Sequence, residues 1–139
     1  MATRASVMDL VRADHKRIGE MFAQLKGFAK GDKRRKALFG ELRREISRHD
    51  LIEEEMLYSV LKKIPAAQDF LRISIVQHGI IDKLVSRLDS IPMVDTSWDT
   101  TFQRLVETFT THMRHEEKEV NKFLPGRIMG DIPGYLRIA

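Results

Sequence analysis

The chain has 139 residues, of which 42% are apolar and 32% charged, a composition typical of a soluble globular domain rather than a disordered or membrane-embedded chain. It contains no cysteine, which excludes disulfide bonds, thiolate metal sites and a cysteine nucleophile. No apolar run approaches the ~18 residues of a membrane span, and charges stand where a signal peptide would be apolar, so we expect one cytoplasmic domain over residues 1–139.

Apolar residues recur with a helical period along four segments, which predicts helices at about residues 5–29, 33–64, 66–90 and 97–123. Gly31-Asp32 separates the first two helices, Pro65 begins the third, and Ser97 is the expected cap of the fourth. Short connections between four amphipathic helices favour an all-α, antiparallel up-down-up-down four-helix bundle. Glycine and proline argue against a further long helix in the short C-terminal tail, residues 127–139.

The apolar stripes predict the core faces of these helices. On the third helix, the stripe is predicted to consist of Leu71, Ile75, Ile81, Val85 and Leu88. Polar residues fill a gap in each of the four stripes, so they are predicted to point inward, where a core leucine would otherwise stand.

These inward polar residues form an internal repeat. They occur as two sets 63 positions apart, namely His15, His49, Glu53 and then His78, His112, Glu116. Four of the five histidines of the chain belong to this repeat. A repeat of this kind, restricted to metal-ligating residue types, predicts a site rather than isolated core histidines.

The spacing also predicts that the histidines lie level with one another. In an antiparallel hairpin, two residues equidistant from the turn lie at the same height. The midpoints between successive histidines fall at positions 32, 63.5 and 95, which coincide with the turn signals at 31–32, 64–65 and 94–95. The four histidines should therefore meet in one layer, with each glutamate one helical turn away.

Two carboxylates in an apolar interior need compensation, and four neutral imidazoles cannot supply it. A pair of metal ions can, because two bridging carboxylates and two terminal histidines on each ion form a dinuclear site with the ions about 3.5–4 Å apart. Nitrogen and oxygen ligands at high coordination number suit iron or manganese better than zinc.

The chain resembles the hemerythrin-like family, the HHE cation-binding domains, over residues 5 to about 125. The resemblance rests on Asp14-His15, HDLIEEEMLY at 49–58, QHGIIDKLVSRL at 77–88 and HMRHEEKEVNKFLP at 112–125. It implies a non-haem di-iron centre, bridged by carboxylates and by an oxo or hydroxo group, that binds dioxygen or reacts with it.

Carried over residue by residue, the resemblance implies terminal ligands of one iron at His15 and His49, terminal ligands of the other at His78 and His112, and bridges at Glu53 and Glu116. Two departures matter. Oxygen-carrying members have a further histidine where this chain has Ser74, which implies a second iron that lacks one imidazole and is more open. Their final bridge is an aspartate five residues after the last histidine, where this chain has Glu117, so Glu117 remains an alternative to Glu116.

Three further residues have open roles. His115 is a candidate fifth imidazole, a hydrogen-bond partner of a ligand, or a residue between helices. Asp50 resembles the acidic residue that follows the second histidine in some iron-sensing members of the family, but it is interpreted as a surface group or as a group next to a ligand. Tyr58 falls on the opposite side of an α-helix from His49, so it is interpreted as structural.

The expected function is to bind or sense dioxygen or oxidants at the di-iron centre. The alternative is a small redox enzyme that turns over peroxide or nitric oxide at the same centre. A third hypothesis is an interaction bundle whose basic segment, residues 33–36, contacts a nucleic acid. The net charge is only +4 and that segment has no aromatic residue, so we expect small-molecule partners such as dioxygen, peroxide or nitric oxide, and no nucleic acid. The oligomeric state is left open.

Overall fold

The computed structural model describes residues 7–123, which form four long helices and no strand. The long helices are Val7–Gly27, Lys33–Ile52, Gln68–Ser90 and Thr96–Glu119, named here the first to fourth helices. The predicted all-α four-helix bundle is confirmed. No helix within residues 7–123 has the length and hydropathy needed to cross a membrane.

Short connections set the antiparallel order. The first helix packs against the second, the third against the fourth, and the first also contacts the fourth. Asp32 caps the second helix, because its carboxylate accepts a hydrogen bond from the Arg34 backbone N–H at 2.9 Å. Pro65 begins a 3₁₀ turn, Pro65–Ala67, that leads into the third helix.

Some predicted helix ends are wrong by a few residues. The N-cap of the fourth helix is Asp95 rather than Ser97. This helix gives way at Val120–Lys122 to a 3₁₀ turn, although the α-helical prediction ran to residue 123. Predicted residues 5–6 of the first helix and the tail at 127–139 lie outside the described residues.

Beyond Ile52, the chain continues the second helix with a different helical geometry. A π-helical segment, Glu53–Tyr58, follows it directly, and one further α-helical turn, Ser59–Leu61, completes it. A π-turn takes up one extra residue, which turns the following side chains by about 100° relative to an unbroken α-helix. The interpretation of Tyr58 as a residue facing away from the histidines is therefore wrong, since its side chain is only 2% exposed and lies on their side.

Two apolar clusters fill the interior and leave a polar layer between them. The cluster toward the 28–32 and 91–95 connections contains Ile18, Phe22, Leu42, Trp98, Phe102 and Phe109, among others. The cluster toward the other end contains Val11, Leu57, Leu61, Phe70, Leu71 and Val120, among others. The inward histidines and glutamates lie between these two clusters, so water reaches them only poorly.

The predicted stripe of the third helix is wrong at one position. Ile75 is 51% exposed, whereas Ser74 is fully buried and stands on the core face between Leu71 and His78. The spacing of three and four residues from Leu71 through Ser74 and His78 to Ile81 satisfies the helical period. Because Ser74 is polar, a pattern based on apolar residues alone does not predict that position 74 faces the core.

Alanine substitutions at two isoleucines of the third helix test this assignment. Ile81 is fully buried, so Ile81→Ala should lower the free energy of unfolding by about 2–5 kcal/mol. Ile75→Ala is the matched control and should change it by no more than about 0.5 kcal/mol. Urea denaturation measures both values, and equal losses would contradict the observed register.

Candidate metal centre

The structure brings all six residues of the repeat into one buried layer. The exposed fractions of the six side chains run only from 0 to 5%. Within the first half of the chain, the Nε2 atoms of His15 and His49 are 3.1 Å apart. Within the second half, the Nε2 atoms of His78 and His112 are 3.0 Å apart. Each histidine therefore presents the same ring nitrogen to the centre of the bundle.

The two glutamates stand between the two histidine pairs. Glu53 Oε1 lies 3.1 Å from His49 Nε2 and 2.9 Å from His78 Nε2. Glu116 Oε1 lies 3.4 Å from His15 Nε2 and 3.1 Å from His112 Nε2. Each carboxylate thus contacts one histidine from each half of the chain, which is the position a bridging carboxylate needs.

The six residues form two groups of potential metal ligands that share both glutamates. The two groups are His15, His49, Glu53, Glu116 and Glu53, His78, His112, Glu116, and the ligand atoms in each lie within 4.8 Å of one another. Glu53 Oε2 is buried and accepts no hydrogen bond from the residues that the structure describes. Buried acceptors without donors are rare, and cations bound between the carboxylates would satisfy them. The donor set and its geometry therefore fit a pair of metal ions.

Two histidines of the layer are oriented by hydrogen bonds at their outer ring nitrogen, Nδ1. The Nδ1–H of His49 donates to Asp14 Oδ2 at 3.3 Å, and the Nδ1–H of His112 donates to Gln77 Oε1 at 2.8 Å. These bonds fix the tautomer that leaves Nε2 free for a metal. Asp14 and Gln77 are themselves 63 positions apart, so the internal repeat could have identified these two partners.

Asp14 is itself held by two guanidinium groups. Its Oδ1 accepts hydrogen bonds of 2.5 Å from Arg17 and from Arg48. Burial opposes ionisation of Asp14, but His49 and Arg48 outweigh it and lower the pKa of the carboxyl group. The orienting partner of His49 is therefore an anion, whereas that of His112 is a neutral amide.

Two further polar side chains, Tyr58 and Asp50, lie beside the second histidine pair. The Tyr58 hydroxyl donates to Glu116 Oε2 at 2.7 Å and lies 3.1 Å from His78 Nε2. Asp50 is only 8% exposed, and its Oδ1 lies 3.7 Å from His78 Nε2. Burial raises the pKa of Asp50 to about 7. Asp50 is therefore a group next to the site, and the alternative interpretation as a surface residue is wrong.

Two other candidates lie outside the groups of potential ligands. The His115 ring stacks on Phe70 with ring centroids 4.7 Å apart, and it belongs to neither group. Glu117 Oε1 lies 3.9 Å from His15 Nδ1, which is the outer ring nitrogen. The inward position is occupied by Glu116, which lies between these two residues in the sequence and is fully buried.

The family model of the hemerythrin HHE cation-binding domain matches residues 6–124. The chain belongs to the hemerythrin HHE cation-binding domain family. Among solved structures, it is similar to a hemerythrin HHE cation-binding domain-containing protein from Mycobacterium kansasii, with a TM-score of 0.77, 20% sequence identity, and coverage of 87% of this chain and 73% of that one. At this identity the likeness shows the shared fold alone. No curated protein matches the chain.

In the metal-free HHE domain, protonated histidines compensate the buried carboxylates. Burial opposes protonation of His112, but Glu116 and Glu53 outweigh it and raise the pKa to about 10. The pKa of His49 is also raised well above its ordinary value, because Glu53 and Asp14 outweigh its burial. The pKa of Glu53 is in turn held well below its ordinary value by His49 and its other partners, against its own burial. Metal ions and protons therefore compete for the same layer.

This competition predicts how the stability of the metal-free domain depends on pH. A histidine whose pKa is 6.5 when unfolded and about 10 when folded stabilises the fold fully below pH 6.5, and the contribution is lost as the pH rises through about 10. The melting temperature of the metal-free domain should therefore fall across this range. The metal-loaded domain should not show the fall, because its histidines are already deprotonated. Thermal melts of both forms at several pH values measure the difference, and parallel curves would contradict the assignment.

Removal of an orienting hydrogen bond should weaken metal binding without unfolding the bundle. Gln77→Ala leaves His112 Nδ1 without its acceptor, so we expect metal affinity to fall by about 10–100-fold. Gln103→Ala is the matched control, because Gln103 is exposed on the same bundle and donates a hydrogen bond to Glu107 rather than to a histidine. Competition with a chromophoric chelator measures both affinities, and equal values would show that Gln77 does not orient the histidine.

Proposed function

We propose that this HHE domain holds two iron ions bridged by Glu53 and Glu116 and that it binds or senses dioxygen or other oxidants at this centre. The observation that supports the proposal is that the two ligand groups share both glutamates, each of which contacts histidines from both halves of the chain. Nitrogen and carboxylate donors, with no thiolate, suit iron better than a closed tetrahedral zinc site.

The proposed roles follow from the positions of the side chains. His15 and His49 hold one ion, and His78 and His112 hold the other. When bound, iron supplies the electrons and the exchangeable coordination position that dioxygen chemistry needs. The protein holds the imidazoles in place, and the apolar clusters on either side exclude water, so a small uncharged molecule is favoured over a larger or charged one.

A redox enzyme that turns over peroxide or nitric oxide remains the second candidate. It is favoured by the polar groups that lie beside the second histidine pair without belonging to either ligand group, namely Tyr58 and Asp50. Turnover of peroxide requires proton delivery, and an inward hydroxyl or carboxyl group can provide it. His115 is not placed for this role, because its ring stacks on Phe70.

The surface charges favour small-molecule partners over nucleic acid. Within the basic segment 33–36, Arg34 is paired with Asp32. Arg35 is 5% exposed, lies over the Trp98 ring and bonds to Asp99. Half of this segment is therefore neutralised or buried, which leaves little of the continuous positive surface that phosphate contacts require. A cytoplasmic location remains a prediction.

Iron content and visible spectra of protein from iron-replete cells test the proposal. We expect two irons per chain and oxo-bridge bands that bleach on reduction and return in air. Bands that bleach while added peroxide disappears would support the enzyme instead. An iron-free protein with an unchanged fold would contradict both functions.

A histidine pair on the fourth helix tests the ligand assignment. His112→Ala should lower the iron content and the melting temperature together, because it removes a ligand and leaves a glutamate without compensation. His115→Ala, three residues further along the same helix, is the matched control and should keep both irons. Loss of iron in the control, or its retention in His112→Ala, would contradict the assignment.

A further inference from the structure

The internal repeat is broken on one side of the layer. Tyr58 lies against the second histidine pair, whereas the residue 63 positions later is Asn121, which is exposed. Ser74 is buried on the core face, whereas the residue 63 positions earlier is Val11, which is also buried but apolar. A tyrosine hydroxyl and a small serine therefore occur together on one side of the layer, and the other side has no counterpart of either.

The Tyr58 oxygen is spaced from its neighbours as a further ligand atom would be. Donor atoms at adjacent positions of one ion, each about 2.0–2.2 Å from it, lie about 3 Å apart. In the second group, His78 Nε2 lies 3.0 Å from His112 Nε2 and 2.9 Å from Glu53 Oε1. The Tyr58 oxygen lies 3.1 Å from the same Nε2 atom and 2.7 Å from Glu116 Oε2. It thus extends the cluster of ligand atoms with the same spacing.

The π-turn and the small side chain of Ser74 allow the Tyr58 hydroxyl group to reach the layer of histidines. The π-turn at Glu53–Tyr58 turns the side chains of both Glu53 and Tyr58 toward the interior, although they are only five positions apart in the sequence. Ser74 is fully buried, and its hydroxyl group lies within hydrogen-bond reach of the Tyr58 hydroxyl group. A serine leaves space that a larger residue would fill, and the Tyr58 ring approaches His78, one turn away from Ser74, at a centroid distance of 5.3 Å.

We propose that Tyr58 is a fifth protein ligand of the ion held by Glu53, His78, His112 and Glu116, and that it supplies the donor that Ser74 does not. On ferric iron, the phenol O–H bond breaks, the proton passes to solvent, and an oxygen lone pair forms the bond to the ion. This inference rests on the proposed di-iron function. In the metal-free protein, the phenol donates to Glu116 Oε2 at 2.7 Å. A bound trivalent cation would instead favour the deprotonated oxygen as its ligand.

A Tyr58 ligand would determine which of the two ions keeps an exchangeable coordination position. The second ion would have five protein ligands, whereas the group around His15 and His49 consists of four residues, the two shared glutamates included. A small molecule would therefore bind at the ion held by His15 and His49. The resemblance had implied the opposite, namely a free coordination position on the second ion, because Ser74 replaces a histidine there.

Resonance Raman spectra of the ferric protein test the inference, since a tyrosinate bound to ferric iron gives enhanced ring vibrations under a visible charge-transfer band. The chain has two tyrosines, Tyr58 and Tyr135, which make a matched pair. We expect the wild-type protein and Tyr135→Phe to show the tyrosinate vibrations and Tyr58→Phe to lose them completely. If Tyr58→Phe does not fold, the spectrum of Tyr135→Phe still assigns the signal. In Tyr58→Phe with Ser74→His, two irons should bind without the signal.

The outcomes separate this inference from the proposed function. Two irons per wild-type chain without tyrosinate vibrations, or vibrations that persist in Tyr58→Phe, would overturn the ligand role of Tyr58 and leave the di-iron proposal intact. Loss of the signal in Tyr135→Phe would overturn it as well. A wild-type chain that binds no iron would overturn the proposed function and the inference together.

Discussion

Glu53 and Glu116 place two fully buried carboxylates between two apolar clusters, and the rest of the interior is organised around the positive charge that they require. Neutral imidazoles could not balance them. In the metal-free protein, protons on His49 and His112 provide the balance, as their raised pKa values indicate. Metal ions would replace these protons. The same layer thus connects fold stability, pH and metal binding.

The internal repeat gives this layer an approximate twofold arrangement, and its departures give the two halves different chemistry. Asp14 and Gln77 occupy equivalent positions behind His49 and His112, but one is a carboxylate held by two arginines and the other a neutral amide. An anionic partner makes an imidazole a stronger donor than a neutral partner does. Together with Tyr58 on one side only, this difference makes the two proposed ions chemically distinct.

Much of the fold and of the candidate site could be predicted from the sequence because helical periodicity and a fixed offset are both one-dimensional signals. His15 and His78 interrupt apolar stripes, so their inward direction follows from spacing alone. The direction of the Tyr58 side chain could not be predicted in this way, because no residue pattern indicates the π-turn that rotates this side chain toward the histidines. The prediction for Ile75 is wrong because the buried Ser74 takes its place on the core face. The orienting partners Asp14 and Gln77, in contrast, follow the same offset of 63 positions and are predictable from the repeat.

If the shared glutamates bridge two ions, anomalous diffraction at the iron absorption edge from crystals of the iron-loaded protein should show both ions. We expect two iron peaks about 3.5–4 Å apart. Glu53 and Glu116 should lie between them, with one histidine pair at each ion. A single peak, or two peaks on the protein surface with the buried layer free of iron, would show that the two glutamates do not bridge a pair of ions.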